Sequence, residues 1–259
     1  MATFVLLHGA FRGGWCWRDV RRLLSGAGHE VFAPDLTGAG ARAHLNRAEI
    51  TLEDWTHDVV NLLEYEDLRE VILVGHSMGG VIITAASEHS AGRLAQLVYL
   101  DAPVPQNGQA AIDLLPETVR RQLGAPPRTG LIAPTPVAAN EDITPDLAAW
   151  INKRLTPVPA APSFTPVTLT NPAALAVPRT YLFCEKTPPF YPSSFTRQRF
   201  DTEGVPYRLL PAAHDCMLTA PQLVAQVLLE ITGVIENATH LRLAALPCGE
   251  AVPHRRATP

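Results

Sequence analysis

The chain has 259 residues, of which 47% are hydrophobic and 18% are charged, and this apolar content excludes an intrinsically disordered protein. Its 21 Lys and Arg against 25 Asp and Glu give a net charge of −4, so the sequence offers no basic surface for nucleic acid. No apolar run reaches the roughly 18 residues that a membrane-spanning helix needs, so we expect no membrane partner.

Short apolar runs alternate with helical patterns along the chain, which is typical of an α/β fold with a parallel sheet. The hydrophobicity of these runs is continuous rather than alternating, which indicates strands that are covered by helices on both faces. The predicted strands are 3–7, 30–33, 71–74, 97–100, 179–183 and 207–210, and the predicted helices between and after them are 17–27, 52–65, 79–89 and 221–231.

One long segment interrupts this alternation. Residues 103–178 are rich in Pro, Ala and Thr and contain two helix-like pieces, 111–123 and 145–154, but no core strand. A segment of this length between two core strands predicts a cap inserted over a pocket, with a mobile loop as the alternative. We therefore predict a core made of residues 1–102 and 179–236, a cap at 103–178 and a C-terminal tail at 237–259.

A short glycine-rich motif follows the third predicted strand. Residues 75–79 read Gly-His-Ser-Met-Gly, the G-x-S-x-G pattern, between an apolar run and a helical pattern. A tight strand-to-helix turn of this kind lifts the serine hydroxyl above the sheet edge and places it at a helix N-terminus, where developing negative charge is favoured. We predict that Ser77 is a nucleophile.

A serine nucleophile needs a base and an oxyanion hole. His214 follows the last predicted strand, so it lies at the sheet edge where open α/β folds place their sites, and we predict that it is the base. His76 is the rival candidate, but it lies inside the motif before the serine, and we expect its side chain to support the turn. The loop after the first strand, residues 8–15, is glycine-rich and lacks the GxGxxG and GxxxxGK[ST] nucleotide-binding patterns. We predict that the backbone N–H groups of Ala10 and Met78 form the oxyanion hole.

These motifs resemble the α/β-hydrolase family, and more narrowly the branch that contains plant methylesterases, hydroxynitrile lyases and related bacterial esterases. The matching segments are 4–10, 14–17, 33–38, 75–80 and 214–217, in the family's order. The resemblance implies an α/β-hydrolase fold, with about six mostly parallel strands, helices on both faces and an inserted cap.

The acid of the expected triad departs from the branch pattern. The resemblance places an Asp where this chain has Thr187, and a threonine cannot carry the charge that stabilises an imidazolium. Two carboxylates can replace it. Asp101 directly follows the fourth strand, a position that other α/β-hydrolases use for their acid, and Glu185 precedes Thr187 by two residues. We predict that Asp101 is the acid, with Glu185 as the alternative.

The resemblance also bears on the reaction. The lyase members carry a Thr and a Lys where this chain has Gly9 and Asp215, and Asp215 would oppose a cyanide anion. We therefore predict a serine carboxylesterase that cleaves a small or medium ester through an acyl-enzyme, with Gly9, Phe11 and Met217 at the substrate. The alternatives are a lactonase, thioesterase, amidase or acyl-transfer cyclase with the same triad, a lyase, and a receptor without turnover.

The remaining expectations concern partners and location. The four cysteines, at positions 16, 184, 216 and 248, are widely spaced and form no CxxC pair, which is typical of a reduced, cytoplasmic protein without a zinc centre. The predicted mechanism requires no metal or organic cofactor. The C-terminal tail is a candidate contact for a homodimer, and a small ester-like molecule is the expected ligand.

Overall fold

A computed structural model describes the backbone of residues 1–122 and 130–244 and the side chains of residues 1–121 and 130–233. Residues 245–259 of the predicted tail, including the fourth cysteine, lie outside the described residues, as does the last residue of the predicted helix 111–123.

The centre of the molecule is a parallel sheet. Its strands are β1 (Thr3–Leu7), β2 (Glu30–Phe32), β3 (Val71–His76), β4 (Leu94–Leu100), β7 (Arg179–Cys184) and β8 (Arg208–Leu210). They lie side by side in the order β2-β1-β3-β4-β7-β8, and every neighbouring pair is parallel. The predicted six-stranded parallel sheet is confirmed, with each strand within three residues of its predicted bounds.

Two hydrophobic clusters, one on each face, hold this sheet. Alternate residues of β1 point to opposite faces, and Val5 and Leu7 join one cluster while Phe4 and Leu6 join the other. Helices α2 (Leu52–Tyr65), α3 (Gly79–Ser90) and α8 (Pro192–Glu203) contribute to the first cluster, and α1 (Arg18–Gly26) and α10 (Pro221–Ala244) contribute to the second. The continuous hydrophobicity of the strands therefore reflects burial on both faces.

Residues 103–178 contribute no strand to the large sheet in their described part. They form the short helices α4 (Glu117–Gln122), α5 (Pro145–Asn152), α6 (Ala161–Phe164) and α7 (Pro172–Ala176), and a small antiparallel pair, β5 (Leu131–Ile132) with β6 (Val158–Pro159). The predicted helix at 111–123 is broken into a 3-10 turn, Ala111–Leu114, and α4, because Pro116 separates them. The division into core, cap and tail stays a prediction.

Two helical features differ from the sequence expectation. The sequence pattern predicts no helix between the last two strands, yet α8 lies there, and it is followed by Gly204, whose φ of 69° suits a residue without a side chain. Helix α10 continues past residue 231 to Ala244 and so includes the first part of the predicted tail. Within the described residues, no helix is both long enough and apolar enough to cross a membrane.

Candidate active site

Ser77 occupies the tight turn between β3 and α3. Its φ of 52° lies in the left-handed region, and its N–H donates to the carbonyl of Leu100 at the end of β4, 3.3 Å away. The turn admits only small neighbours, since a Cβ at Gly75 would come within 2.5 Å of the Gly79 carbonyl oxygen. This strained conformation is the geometry that the sequence motif predicts for a nucleophile.

His214 and Asp101 meet at the same sheet edge. Nδ1 of His214 bonds Oδ2 of Asp101 at 2.5 Å, although the two residues are 113 positions apart in the sequence. The backbone of His214 is also joined to the serine turn, because Nε2 of His76 donates to the His214 carbonyl oxygen at 2.8 Å. With Nδ1 engaged by a carboxylate, the free ring nitrogen of His214 is Nε2, which is the atom that a base uses in this arrangement.

Asp101 is buried, and both oxygens of its carboxylate accept hydrogen bonds. Oδ2 accepts from His214 and from the hydroxyl of Thr187, and Oδ1 accepts from the Cys184 N–H at 3.2 Å. Burial by itself raises the pKa of Asp101, but these hydrogen bonds outweigh that effect and hold the pKa below its usual value. The alternative acid, Glu185, has an exposed side chain. The structure therefore brings Asp101, and not Glu185, to His214.

The loop after β1 lies directly against Ser77. Gly9 is buried, and a Cβ there would come within 2.7 Å of the Ser77 Cβ. The Gly9 carbonyl accepts from His8 Nδ1 at 2.8 Å, while His8 Nε2 accepts from the Leu36 N–H at 3.2 Å. Burial lowers the pKa of His8, which favours this neutral ring. Because C=O and N–H point in opposite directions across a trans peptide, the bond to the Gly9 carbonyl also fixes the direction of the Ala10 N–H.

The two predicted oxyanion donors remain free for a ligand. In the part of the chain that the structure describes, neither the Ala10 N–H nor the Met78 N–H donates to another protein atom. Met78 is the residue just before α3, a helix of 12 residues, so the positive end of that helix dipole lies at its N–H. These features suit an anion that develops beside Ser77.

The ring of His76 packs between the serine turn and the segment that carries His214. Its ring is buried, 4.6 Å from the ring of His214 between centroids, and burial lowers its pKa to about 3. A neutral His76 that donates through Nε2 ties the turn bearing Ser77 to the segment bearing His214. It thereby links the proposed nucleophile and base through the backbone rather than through their reacting atoms.

An ion pair joins the loop 8–15 to the residue that follows His214. Arg12 donates through Nε and Nη2 to the two carboxylate oxygens of Asp215, at 3.2 and 2.7 Å. Burial by itself raises the pKa of Asp215, but the Arg12 guanidinium outweighs it and lowers that pKa to about 2. Asp215 is next to His214 in the chain, so this pair fixes the position of the loop 8–15 relative to His214.

The predicted substrate residues fall in different surroundings. Phe11 lies in the loop 8–15 and is half-buried, with φ of 64°, and its carbonyl accepts from the N–H of Thr156 in the 103–178 segment at 3.2 Å. Met217, in contrast, is completely buried in the hydrophobic cluster that includes Trp17, which does not favour contact with a substrate. Tyr191, which the sequence analysis does not single out, packs its ring 4.4 Å from the ring of His214.

Comparison with known proteins gives one family. A model described as the alpha/beta hydrolase family matches residues 4–227. The carbendazim hydrolyzing esterase of Nocardioides sp. (strain SG-4G) is 36% identical over 239 residues, which cover 88% of this chain and 98% of that protein. Methyl jasmonate esterase 1 of Vitis vinifera is 29% identical over 205 residues, which cover 71% and 78% of the two chains.

Solved structures agree with this assignment. A methylesterase from Arabidopsis superposes with a TM-score of 0.70 at 26% identity, covering 90% of this chain and all of the other. An extracellular alpha/beta-hydrolase from a Paenibacillus species gives a TM-score of 0.72 at 25% identity, covering 89% and 98%. The α/β-hydrolase fold expected from the motifs is thus confirmed.

Proposed function

Because the chain belongs to the alpha/beta hydrolase family, and its relatives include esterases, we propose that this ester-hydrolysing enzyme is a serine carboxylesterase that uses Ser77, His214 and Asp101. The observation that carries the proposal is the 2.5 Å bond between His214 and a buried, ionised Asp101, beside a strained serine at a helix N-terminus.

The geometry supports a two-step acyl transfer. Ser77 Oγ attacks the ester carbonyl while His214 Nε2 takes the hydroxyl proton, and Asp101 stabilises the imidazolium that forms. The carbonyl oxygen becomes an oxyanion that accepts from the N–H groups of Ala10 and Met78. His214 then protonates the leaving alcohol. Water attacks the acyl-enzyme with His214 as the base, and the acid product leaves with Ser77 regenerated.

We further propose that residues 103–178 cap this site. Three contacts support the proposal: two join that segment to the loop 8–15, which lies against Ser77, and one joins it to the connection between β2 and α2. The N–H of Thr156 donates to the Phe11 carbonyl, the rings of Trp150 and Trp15 lie 5.2 Å apart, and the side chain of Asn46 donates to the Pro157 carbonyl at 2.9 Å. The cap therefore lies against the oxyanion loop, where it shapes the space available to a substrate.

The lyase alternative has less support than the esterase. A lyase of this branch would need a cation beside the base. In this chain Asp215 occupies that position, and its negative charge is balanced by Arg12.

Among the described residues no cluster of His, Cys, Asp or Glu could hold a metal ion. A cytoplasmic location and a homodimer stay predictions.

Turnover of defined esters tests the proposed function. A series of p-nitrophenyl esters of increasing acyl length measures carboxylesterase activity and acyl preference, and carbendazim and methyl jasmonate serve as probes because relatives are named for them. We expect hydrolysis of short-chain p-nitrophenyl esters by the wild type and not by Ser77→Ala. Equal rates for the two proteins would contradict the proposal.

A further inference from the structure

The hydroxyl of Thr187 is bonded to the proposed acid. Thr187 is 8% exposed, and its Oγ1 donates to Oδ2 of Asp101 at 2.5 Å. The same oxygen accepts from Nδ1 of His214. Thr187 therefore contacts the carboxylate at the atom that engages the base, although it occupies the position where the sequence resemblance expects the acid itself.

The turn that carries Thr187 is held on both sides. The Thr187 N–H donates to the Cys184 carbonyl at 3.4 Å, which closes the turn after β7. The N–H of Lys186 donates to the carbonyl of Ala212, two residues before His214, at 3.1 Å. The hydroxyl of Thr187 and the N–H of Cys184 thus approach Asp101 from a fixed backbone that is also bonded to the segment leading to the base.

The two donors of this turn bond different oxygens of the Asp101 carboxylate. Cys184 N–H bonds Oδ1 and Thr187 bonds Oδ2, so rotation of the carboxylate away from His214 breaks both bonds. A hydroxyl donor also favours the ionised carboxylate over the protonated one, and a buried carboxylate that lacks donors is costly to ionise. The turn therefore holds the acid in both the orientation and the charge state that the reaction needs.

We propose that Thr187 is a positioning residue for ester hydrolysis, acting through Asp101 by holding its carboxylate toward His214. This inference rests on the proposed function, because it assumes that Asp101 supports His214 as the base. This role requires no contact between Thr187 and the substrate. Its removal should lower kcat and leave KM nearly unchanged.

The test compares Thr187→Val, which keeps the shape and removes the hydroxyl, with Thr187→Ser, which keeps a hydroxyl. Thr56→Val is a matched control, because Thr56 is also buried and its hydroxyl bonds a helix carbonyl, that of Leu52, at 2.8 Å. We expect Thr187→Val to lower kcat about 10-fold, which corresponds to about 1.4 kcal/mol of barrier, and Thr187→Ser to recover most of this loss.

Two further readouts separate positioning from a general structural effect. In Thr187→Val the acid-side decline of kcat/KM should begin at a higher pH, since Asp101 has lost a donor that favours its ionised form. In an Asp101→Asn background, Thr187→Val should lower the rate by less than about twofold, because the hydroxyl has no carboxylate left to position. If Thr187→Val fails to fold, Thr187→Ala takes its place in every comparison.

The outcomes are distinct. A wild-type kcat and pH profile in Thr187→Val, or a full 10-fold loss that persists in the Asp101→Asn background, would overturn the positioning role. A wild type that neither hydrolyses esters nor reacts at Ser77 would instead overturn the proposed function. Loss of activity in Thr56→Val equal to that in Thr187→Val would assign the effect to stability and also overturn the inference.

Discussion

The substitution Asp101→Asn changes the hydrogen-bond chemistry at the centre of the site with almost no change in shape. The carboxylate accepts three hydrogen bonds, from the Cys184 N–H, the Thr187 hydroxyl and the His214 Nδ1–H. An asparagine side chain has only one acceptor oxygen, and its NH₂ group donates. Whichever way the amide turns, its NH₂ group faces at least one donor.

Each orientation of the amide harms catalysis. With the NH₂ in place of Oδ2, His214 must accept at Nδ1, so its proton moves to Nε2 and the ring can no longer take a proton from Ser77. With the NH₂ in place of Oδ1, the tautomer is kept, but the imidazolium loses its counter-charge and the buried Cys184 N–H loses its acceptor. We expect kcat/KM to fall by about 10⁴, the loss known for the same change in a serine protease, or about 5.5 kcal/mol of barrier.

Steady-state hydrolysis of p-nitrophenyl acetate near neutral pH measures this loss, and circular dichroism verifies that the variant is folded. Glu185→Gln is the matched control, because its side chain is exposed and lies outside the bonded group. It should stay within about twofold of the wild type. Near-normal turnover in Asp101→Asn, with a large loss in Glu185→Gln, would refute the assignment of the acid.

The remaining predictions concern the oxyanion loop and its ion pair. Gly9→Ala places a Cβ against Ser77, so kcat should fall by about 10² or more. An unchanged kcat would show that the loop can move to admit the Cβ without affecting the reaction, and it would contradict this prediction. Arg12→Met leaves Asp215 buried without a partner, so its free energy of unfolding, measured by thermal denaturation, should be about 3–5 kcal/mol lower than that of the wild type. In the wild type, the depressed pKa of Asp215, about 2, contributes about 2–3 kcal/mol to the free energy of unfolding above pH 4, and this contribution is lost as the pH falls toward 2. The free energy of unfolding of Arg12→Met should lack this dependence on acid.

The sheet and the serine turn were predictable because their signals are local. The apolar strands are buried on both faces, so their runs stand out from the flanking polar residues. The G-x-S-x-G pattern is local in sequence as well, and a Cβ at Gly75 would collide with Gly79, whereas a Cβ at Gly79 would press on the distant backbone of Leu7 and His8. Helix α8 was missed because its sequence is polar and because Pro188 and Pro189 stand just before Pro192, its first residue, and this run of prolines weakens a helical pattern.

The surroundings of the acid were only partly predictable. The position of Asp101 directly after β4 indicated the favoured candidate, but Glu185, directly after β7, stayed open as an alternative. Only the three-dimensional arrangement shows that one side chain is exposed while the other bonds His214. The role of Thr187 as a donor to Asp101 depends on a contact across 86 positions, which no spacing rule reveals.

Other site features depend on contacts that join distant segments. The bond from His76 to the His214 carbonyl and the pairing of Arg12 with Asp215 each link residues far apart in the chain. Met217, three residues after His214, is one of the residues expected at the substrate. Its side chain instead turns into the core, because residues 216–219 form the short helix α9 (Cys216–Thr219), which packs beside α1 and α10.

Labelling with a fluorophosphonate probe tests the central claim most directly, because this reagent forms a stable adduct only with an activated serine. Peptide mapping by mass spectrometry after reaction should place one adduct on Ser77, with ester hydrolysis lost in proportion to labelling. Ser77→Ala should neither be labelled nor turn over p-nitrophenyl esters. An unlabelled Ser77 in a protein that still hydrolyses these esters, or an adduct on another serine, would contradict the proposed nucleophile.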